Sequence, residues 1–365
     1  MLQLRDIAFT PLSVAYGAAG SARRALYRAG VLPVERVAAP VISVGNITAG
    51  GTGKTPLVEW LARVAAREGR RVCILTRGYG RADAGRRVVV SDGERILAEA
   101  REGGDEPRLL AENLRGETVA VISDANRVGA ARWAIKNLQS DLFILDDGFQ
   151  HLRLARDLNI LTIDATDPWG GRRLLPRGRL REPLGELKRA DLIVITRAEL
   201  AADIGDVRAR AERFSGGRNC PVLIARTATL LITPLANSQL ATSHSETIET
   251  PLEIGTIPQP LAAFCAIGNS QAFFAHAERE GLTLNYTRSF ADHHVYTQSE
   301  IDLCVREAVR HGARALLTTA KDAVKLRALD FALPCYVLEI ALKFDDEQMM
   351  HAILDRVLSR RGSKL

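Results

Sequence analysis

The chain has 365 residues, more than one compact core usually holds, so two domains are expected. Hydrophobic residues make up 47% and charged residues 25%, the composition of a soluble, folded protein rather than a disordered one. Five scattered cysteines without a Cys-x-x-Cys pair argue against a zinc site or disulfide framework and fit a reducing compartment. The net charge of +6 is modest, but basic residues concentrate at 1–36 and 172–189, where anionic partners are expected.

The N-terminal segment is apolar and then basic. Residues 7–22 carry no charge, and three arginines follow within residues 23–28. The uncharged run is shorter than the roughly 20 residues needed to cross a bilayer, and Arg5 next to Asp6 makes a poor secretory signal. We favour a helix in the membrane interface, with its apolar face in lipid and its arginines on head groups. An ordinary helix packed on the core is the alternative.

Short β-branched runs alternate with helical stretches over the first 226 residues. Several of these runs are apolar almost throughout, as strands buried on both faces of a parallel sheet are. The expected strands are residues 40–44, 71–75, 87–90, 118–122, 141–145, 158–163, 191–195 and 221–225. The expected helices are residues 56–68, 106–114 and 127–137. This alternation predicts an α/β fold with a doubly wound, mostly parallel sheet and right-handed crossovers.

The composition changes at about residue 227. Residues 227–260 are rich in Ser, Thr and Pro and lack helical periodicity, which predicts a strand-and-loop linker. Strands are expected again at 261–267, near 286, at 315–319 and at 335–339, with helices at 271–280 and 299–311. We therefore predict a membrane-interface segment (1–36), a P-loop-type core (37–226), the linker (227–260), a smaller α/β domain (261–345) and a C-terminal helix (346–365).

The sequence VISVGNITAGGTGKTP at residues 41–56 predicts a phosphate-binding loop between a buried strand and a helix. In a P-loop, backbone N–H groups surround the phosphates, the lysine meets the terminal phosphates and the hydroxyl holds Mg²⁺. The consensus is met at Gly53, Lys54 and Thr55, whereas Thr48 stands where the first glycine is expected. The predicted ATP contacts are Thr48, Ala49, Gly50, Gly51, Thr52, Gly53, Lys54 and Thr55.

Two adjacent carboxylates follow another apolar strand. In DLFILDDGFQH, Asp146 and Asp147 come directly after residues 142–145. Phosphate chemistry takes place at the carboxyl ends of the strands in such sheets, so we predict that Thr55 and these carboxylates hold Mg²⁺. Asp147 with Gly148 is also a good turn pair, which leaves a structural turn as the alternative.

The expected nucleotide is ATP rather than GTP. Guanine-specific P-loop proteins usually carry Asn-Lys-x-Asp after a later strand. The matching position here, after residues 191–195, has the sequence Thr196-Arg197-Ala198-Glu199. The aspartate that would bind guanine is absent from it, and this favours ATP.

Eight motifs follow one another along nearly the whole chain. They are VISVGNITAGGTGKTP (41–56), TRGYGR (76–81), GDEP (104–107), LDDGFQH (145–151), GGRRLLPRGRLREP (170–183), AIGN (266–269), DHHVY (292–296) and TTAKDAVKL (318–326). In these residues and in their order the chain resembles the tetraacyldisaccharide 4′-kinases of lipid A biosynthesis. Three features depart from the family pattern: Ala320 replaces a glutamate, Arg177 and Arg179 replace small or apolar residues, and the linker is longer.

This resemblance implies an activity and its partners. The implied reaction transfers the γ-phosphate of ATP, with Mg²⁺, to the 4′-hydroxyl of a tetraacyldisaccharide 1-phosphate and gives lipid IVA. The implied location is the cytoplasmic face of the bacterial inner membrane, so an anionic membrane surface is a further partner. We expect no nucleic-acid partner and no obligate protein partner. A regulatory NTPase or metallochaperone, or a kinase of a soluble sugar or cofactor, is the alternative.

Asp105 is the candidate general base. A sugar hydroxyl is a poor nucleophile, so a positioned base should accept its proton during transfer. From the residues alone, an aspartate before Glu-Pro is better explained as a helix N-cap. The resemblance implies that Asp105 is the base and that His293, from the second domain, is its partner once the cleft closes. The neighbouring His294 is not separated from His293 by sequence, and a structural histidine is the alternative.

The basic loop at residues 170–183 is expected near the substrate. The planar guanidinium group binds phosphate well, and the implied substrate carries a phosphate at its 1-position. Glu182 is expected to assist the metal or a hydroxyl. For each predicted contact a surface salt bridge is the alternative. The predicted substrate contacts are Arg127, Gln150, His151, Arg181 and Glu182.

Overall fold

A computed structural model of the protein describes residues 4–217, 220–235, 252–292 and 294–359. The strands in these residues form one twelve-stranded sheet. They are β1 Val41–Gly45, β2 Val72–Thr76, β3 Val88–Ser91, β4 Val119–Ser123, β5 Leu142–Leu145, β6 Leu158–Asp164, β7 Leu192–Thr196, β8 Val222–Pro234, β9 Leu261–Cys265, β10 Leu284–Ser289, β11 Ala315–Thr319 and β12 Cys335–Phe344. Their order across the sheet is β10-β9-β11-β12-β8-β7-β6-β1-β5-β2-β4-β3.

The helices cover the faces of this sheet. They are α1 Leu4–Arg28, α2 Lys54–Arg67, α3 Ala100–Gly103, α4 Asp105–Asn113, α5 Arg127–Leu138, α6 Ile204–Phe214, α7 Ser270–Arg279, α8 Gln298–Arg310, α9 Ala320–Leu326 and α10 Glu347–Leu358. Short 3₁₀ segments occur at Gly170–Arg172, Leu184–Arg189, Ala198–Leu200 and Ile254–Thr256. Every strand and helix that we predicted between residues 40 and 345 occurs, with ends that differ by a few residues except where β8 and β12 run on.

The first lobe, β1–β7 with α2–α6, is a doubly wound parallel sheet. β1 lies between β5 and β6 and pairs with both in parallel. The parallel pairing continues outward from β5 to β2 and β4, and from β6 to β7. Only the edge strand β3 is antiparallel to its neighbour. Because β1, β2 and β4–β7 are buried along their whole length, their apolar sequences are those that a two-sided core requires.

The second lobe, β9–β11 with α7–α9, is joined to the first by two long antiparallel strands. β8 begins in the first lobe beside β7 and continues to Pro234. It pairs with β12 from Ala225 to Pro234. Residues 227–234 of the predicted linker therefore belong to a strand, residues 236–251 lie outside the described residues, and a 3₁₀ turn follows. The α/β fold with a smaller α/β unit attached through β structure agrees with the sequence expectation.

The C-terminal helix α10 returns the chain to the first lobe. Its apolar residues Met350, Leu354 and Val357 are almost fully buried in the same cluster as the inner face of α2. At the end of β12, Phe344 packs edge-on against Trp60 of α2 with 5.1 Å between ring centroids. Burying one such aliphatic side chain contributes about 1.5–3 kcal/mol. The two lobes are therefore held together by this packing as well as by β8 and β12.

Helix α1 is 25 residues long and lies against the first lobe by one face. Ser13 donates a hydrogen bond to the Leu174 carbonyl at 2.9 Å, and the Arg24 side chain is buried. Leu12 and Val14, on the two sides of the packed face, are exposed at 57% and 66%. No helix within the described residues is both long enough and apolar enough to pass through a membrane. The helix thus has one packed face and exposed apolar side chains outside it.

Candidate active site

The loop from β1 to α2 has the backbone geometry of a phosphate-binding turn. Gly53 precedes α2 with a φ of 72°, and a Cβ there would lie 3.1 Å from the Thr196 side chain. The loop is held from β6 and β7, because Thr196 donates to the Thr52 carbonyl at 3.0 Å and the Thr52 hydroxyl lies 2.8 Å from that of Thr162. α2 starts at Lys54, so the N-terminus of the helix and the lysine lie at the same end of the loop, where phosphate groups bind in P-loop proteins.

Lys54 and Asp147 meet at this end of the sheet. The Lys54 Nζ lies 3.4 Å from Oδ1 of Asp147, and the Asp147 side chain is 32% exposed. Asp147 has a φ of 51°, which turns the chain directly after β5. Arg181 donates two hydrogen bonds to the same carboxylate, at 2.9 and 2.8 Å. Burial raises the pKa of Asp147, but Lys54 and Arg181 outweigh it, so the pKa lies below its usual value.

Asp146 lies deeper and has a different electrostatic environment. It is 2% exposed, and burial followed by the charges of Glu106 and Asp147 raises its pKa to about 7. Arg127, at the start of α5, is also buried and lies in the field of both aspartates. Burial lowers the pKa of Arg127 to about 10. Asp146 is therefore a buried carboxylate in the field of two other carboxylates, opposed by the positive charges of Lys54 and Arg127.

Gln150 and His151 follow the acidic pair and support the loop. Gln150 Nε2 donates to the Asn46 carbonyl at 2.8 Å, which ties it to the start of the P-loop. His151 is partly exposed, and its carbonyl accepts a hydrogen bond from Arg156. Burial, with Arg127 as the next cause, lowers the pKa of His151 to about 4, so the imidazole is neutral at pH 7.

Glu182 is buried in an ion cluster beneath helix α1. Its carboxylate is hydrogen-bonded by Arg189 and lies 4.0 Å from Arg24. Glu186 in the same cluster contacts Arg24 at 3.2 Å and Arg28 at 2.9 Å. Burial raises the pKa of Glu182 despite these arginines. Glu182 therefore links α1 to the loop that carries Arg181.

Asp105 is the first residue of α4, on the side of the first lobe that contacts α9 of the second lobe. The N-cap of α4 is Gly104, with a φ of 101°, so the alternative that Asp105 caps this helix is wrong. Lys325 Nζ lies 3.1 Å from Oδ2 of Asp105. His293, its proposed partner, lies outside the described residues. His294 instead faces Glu300 at 3.1 Å, and its ring stacks on Phe290.

Several residues of the site were missed by the sequence analysis. Lys321 contacts Glu106 of the first lobe and Asp292 of the second, each at 3.1 Å. Arg197 donates to the Gly51 carbonyl at 2.7 Å. Lys321 lies in the motif at residues 318–326 and Arg197 in the segment at residues 196–199. Membership of these segments is the one sequence signal that points to either residue. The contacts join segments far apart in the chain, so local pattern does not predict them.

A cavity of about 420 Å³ opens between the two lobes, in the size range of small-molecule sites. The AIGN turn closes one side of it. Asn269 donates to Thr166 at 3.0 Å, and a Cβ on Gly268 would come within 2.7 Å of the Gly51 nitrogen. The cavity is lined by the P-loop residues Gly50, Gly51, Thr52, Gly53, Lys54 and Thr55, by Glu59, Arg63, Glu106, Asn113, Asp147 and Arg181, and by Thr227, Leu230, Phe273, His276, Lys321, Leu338 and Ile340.

A strand, a glycine turn and a helix beside two carboxylates, facing a cavity between lobes, define a P-loop nucleotide-binding protein of the phosphoryl-transfer type. The family model described as tetraacyldisaccharide-1-P 4′-kinase matches residues 5–359. The chain belongs to the tetraacyldisaccharide-1-P 4′-kinase family. It is therefore a kinase that uses ATP, and the alternatives of a regulatory NTPase or metallochaperone are not favoured.

Individual relatives agree with this assignment over most of their length. The tetraacyldisaccharide 4′-kinase of Geobacter metallireducens is 38% identical over 361 residues, covering 95% of this chain and 96% of the relative. That of Anaeromyxobacter dehalogenans is 40% identical over 333 residues, covering 88% and 82%. A crystal structure of the "apo" form of LpxK from Aquifex aeolicus in complex with ATP is 30% identical, with a TM-score of 0.74, and covers 97% of this chain and 99% of that one.

Proposed function

We propose that the protein transfers the γ-phosphate of ATP to the 4′-hydroxyl of tetraacyldisaccharide 1-phosphate, giving lipid IVA in lipid A biosynthesis. The observation that carries the proposal is the 3.4 Å approach of Lys54 to Asp147 at the mouth of the P-loop. A triphosphate in the loop would place its terminal phosphate beside this lysine and these carboxylates. Family membership supports the lipid acceptor.

We propose Mg²⁺ as the metal of the reaction. The oxygen donors at the mouth of the loop, the Thr55 hydroxyl and the Asp146 and Asp147 carboxylates, are the hard ligands that Mg²⁺ prefers. Burial and the negative charges of Glu106 and Asp147 raise the pKa of Asp146, so a divalent cation beside this carboxylate would be stabilised electrostatically. When bound, the ion would neutralise negative charge on the transferred phosphate.

The proposed roles of the remaining residues follow from their places. Lys54 stabilises the negative charge of the γ-phosphate during transfer. Asp105, next to the cavity-lining residue Glu106 in the first turn of α4, accepts the proton of the 4′-hydroxyl, and His293 is its proposed partner. The proposed substrate contacts are Arg127, Gln150, His151, Arg181 and Glu182.

The test of this function is product analysis by mass spectrometry. Purified protein with Mg²⁺-ATP and the disaccharide 1-phosphate in detergent micelles should give a lipid that is heavier by one phosphoryl group. Lys54→Ala should abolish this product because the terminal phosphates lose their cation. ATP hydrolysis without lipid product would refute the proposal, as would transfer to soluble sugars only.

We also propose that helix α1 attaches the protein to the cytoplasmic face of the inner membrane. Support comes from exposed Leu12, Val14 and Leu26 on a helix that also carries Arg23 and Arg28. The double substitution L12S/V14S should weaken co-sedimentation with vesicles that contain phosphatidylglycerol. Val309 on α8 is similarly exposed, at 56%, and V309S should leave vesicle binding unchanged. Equal binding of L12S/V14S and the unaltered protein would reject this attachment.

A further inference from the structure

Two lysines of the second lobe reach the first turn of α4. Lys321 and Lys325 are four residues apart in α9, a spacing that places both on one face of the helix. α4 begins with Asp105 and Glu106. Lys325 Nζ lies 3.1 Å from Oδ2 of Asp105, and Lys321 Nζ lies 3.1 Å from Oε1 of Glu106. The two lobes therefore meet at two neighbouring ion contacts, and the candidate base Asp105 takes part in one of them.

Helix α9 is held firmly on the sheet of the second lobe. The Thr319 hydroxyl accepts a hydrogen bond from the Asp322 backbone N–H at 3.1 Å and caps the helix. The Asp322 side chain is fully buried and accepts from the Ala266 N–H at 3.0 Å and from Thr319 at 2.7 Å. Asp322 thus fixes α9 to the AIGN turn, and the directions of its two lysines are set by the second lobe.

The contact of Lys325 with Asp105 is shielded from water. The Lys325 side chain is 5% exposed and that of Asp105 is 21% exposed. Lys325 also donates to the His294 carbonyl at 3.2 Å, so its ammonium group is held between the second lobe and Asp105. A charge pair with little solvent attracts more strongly and keeps its geometry better than a surface pair.

A second pair in the same interface provides a matched comparison. Arg327, close to Lys325 in the chain, contacts Glu112 near the end of α4 at 2.7 Å. Its side chain is 52% exposed, and Glu112 lies two turns of the helix away from Asp105. Loss of this pair removes an ion contact between the same two helices without touching the candidate base.

We propose that Lys325 is a positioning residue for phosphoryl transfer, holding the Asp105 carboxylate in place from the second lobe. The inference rests on the proposed role of Asp105 as general base. Because Lys325 moves with the second lobe, the base is correctly placed only while the lobes are together. The function of the TTAKDAVKL motif is then to position the base, in addition to any contact with nucleotide or substrate.

The experiment measures kcat and both KM values for lipid phosphorylation with radiolabelled ATP. K325M keeps most of the side-chain volume and removes the charge. Displacement of the base should lower kcat by about 10- to 100-fold while KM for ATP changes by less than about twofold. R327M is the control, with kcat within about twofold of the unaltered protein. K325Q replaces K325M if the thermal melt shows that K325M does not fold.

A double-mutant cycle with D105N separates this inference from the proposal on which it rests. If Lys325 acts through Asp105, adding K325M to D105N should lower kcat by less than about twofold more. An equal loss in both backgrounds, or an unchanged kcat in K325M, would overturn the positioning role while leaving the base in place. A D105N variant with full kcat would instead overturn the proposed base, and the inference with it.

Discussion

Lys54 and Asp147 face each other with 3.4 Å between the ammonium nitrogen and Oδ1, and Arg181 donates two hydrogen bonds to the same carboxylate. Asp147 thus has two cations beside it, whereas the pKa of the neighbouring Asp146 is raised to about 7, mainly by burial. The divalent cation that we propose for Asp146 and Asp147 would offset the negative charge on the Asp146 side. Lys54 would then be available to the terminal phosphate.

The first prediction concerns the metal requirement. D147N keeps the shape of the side chain but removes the charge that faces Lys54, so it should raise the Mg²⁺ concentration for half-maximal rate by about tenfold or more. The measurement is the initial rate as a function of MgCl₂ concentration. D206N is the control, because Asp206 pairs with Arg210 at 2.8 Å on the exposed surface of helix α6. An identical Mg²⁺ response in both variants would remove Asp147 from the metal site.

The second prediction concerns the ion cluster beneath α1. Arg24 and Arg28 both contact Glu186, but their side chains are 7% and 55% exposed. Removing one partner of a buried ion pair costs about 3 kcal/mol because the other charge stays buried without its counter-charge. Without Arg24, the buried carboxylates of Glu182 and Glu186 each lose a positive neighbour. An exposed pair contributes about 1 kcal/mol or less. R24M should therefore lower the unfolding free energy in urea well beyond R28M, and equal losses would contradict the buried cluster.

The third prediction concerns the contact between the AIGN turn and the P-loop. A Cβ on Gly268 would lie 2.7 Å from the Gly51 nitrogen and 3.3 Å from the Gly50 Cα, so G268A must push the second lobe away from the loop. We expect KM for ATP to rise by about tenfold, a typical cost of overpacking. G255A is the control, because a Cβ on Gly255 meets nothing within 4 Å. Unchanged KM in G268A would mean that the lobes separate freely.

The local features of this protein could be predicted from its sequence because each is encoded within one segment. Strand β1 is a continuous apolar run followed by glycines and Lys54, and its position, burial and turn all follow from those residues. The same holds for β5 and the aspartates after it. Alternating apolar runs and helices were sufficient to predict the parallel sheet of the first lobe.

The contacts between lobes could not be predicted in this way. The approach of Lys325 to Asp105 depends on how β8 and β12 pair and on where α10 packs. Those relations join segments more than a hundred residues apart. The capping rule fails at Asp105. The chain enters the helix through Gly104 at a φ of 101°, a conformation that favours glycine, so Asp105 is the first helical residue and its carboxylate contacts Lys325.

The last prediction concerns the pH dependence of stability through Glu59. This residue lines the cavity and accepts a hydrogen bond from Asn113 at 2.8 Å. Burial raises its pKa to about 7 from the usual 4.5, with Glu339 as a smaller contribution in the same direction. Between those pH values the folded protein keeps a proton that the unfolded chain releases. The contribution of Glu59 to the unfolding free energy is therefore full below about pH 4.5 and is lost as pH rises through about 7.

E59Q should remove this dependence. The difference in unfolding free energy between pH 5 and pH 7 should change by about 1–2 kcal/mol relative to the unaltered protein, a value reduced because the cavity admits water. Urea denaturation at the two pH values measures it. E68Q is the matched control, because Glu68 is exposed at the end of the same helix α2 and should leave the pH dependence as it was. E59Q and the unaltered protein differ only at residue 59. If the unfolding free energy of E59Q changed with pH in the same way as that of the unaltered protein, Glu59 would be ionised at neutral pH.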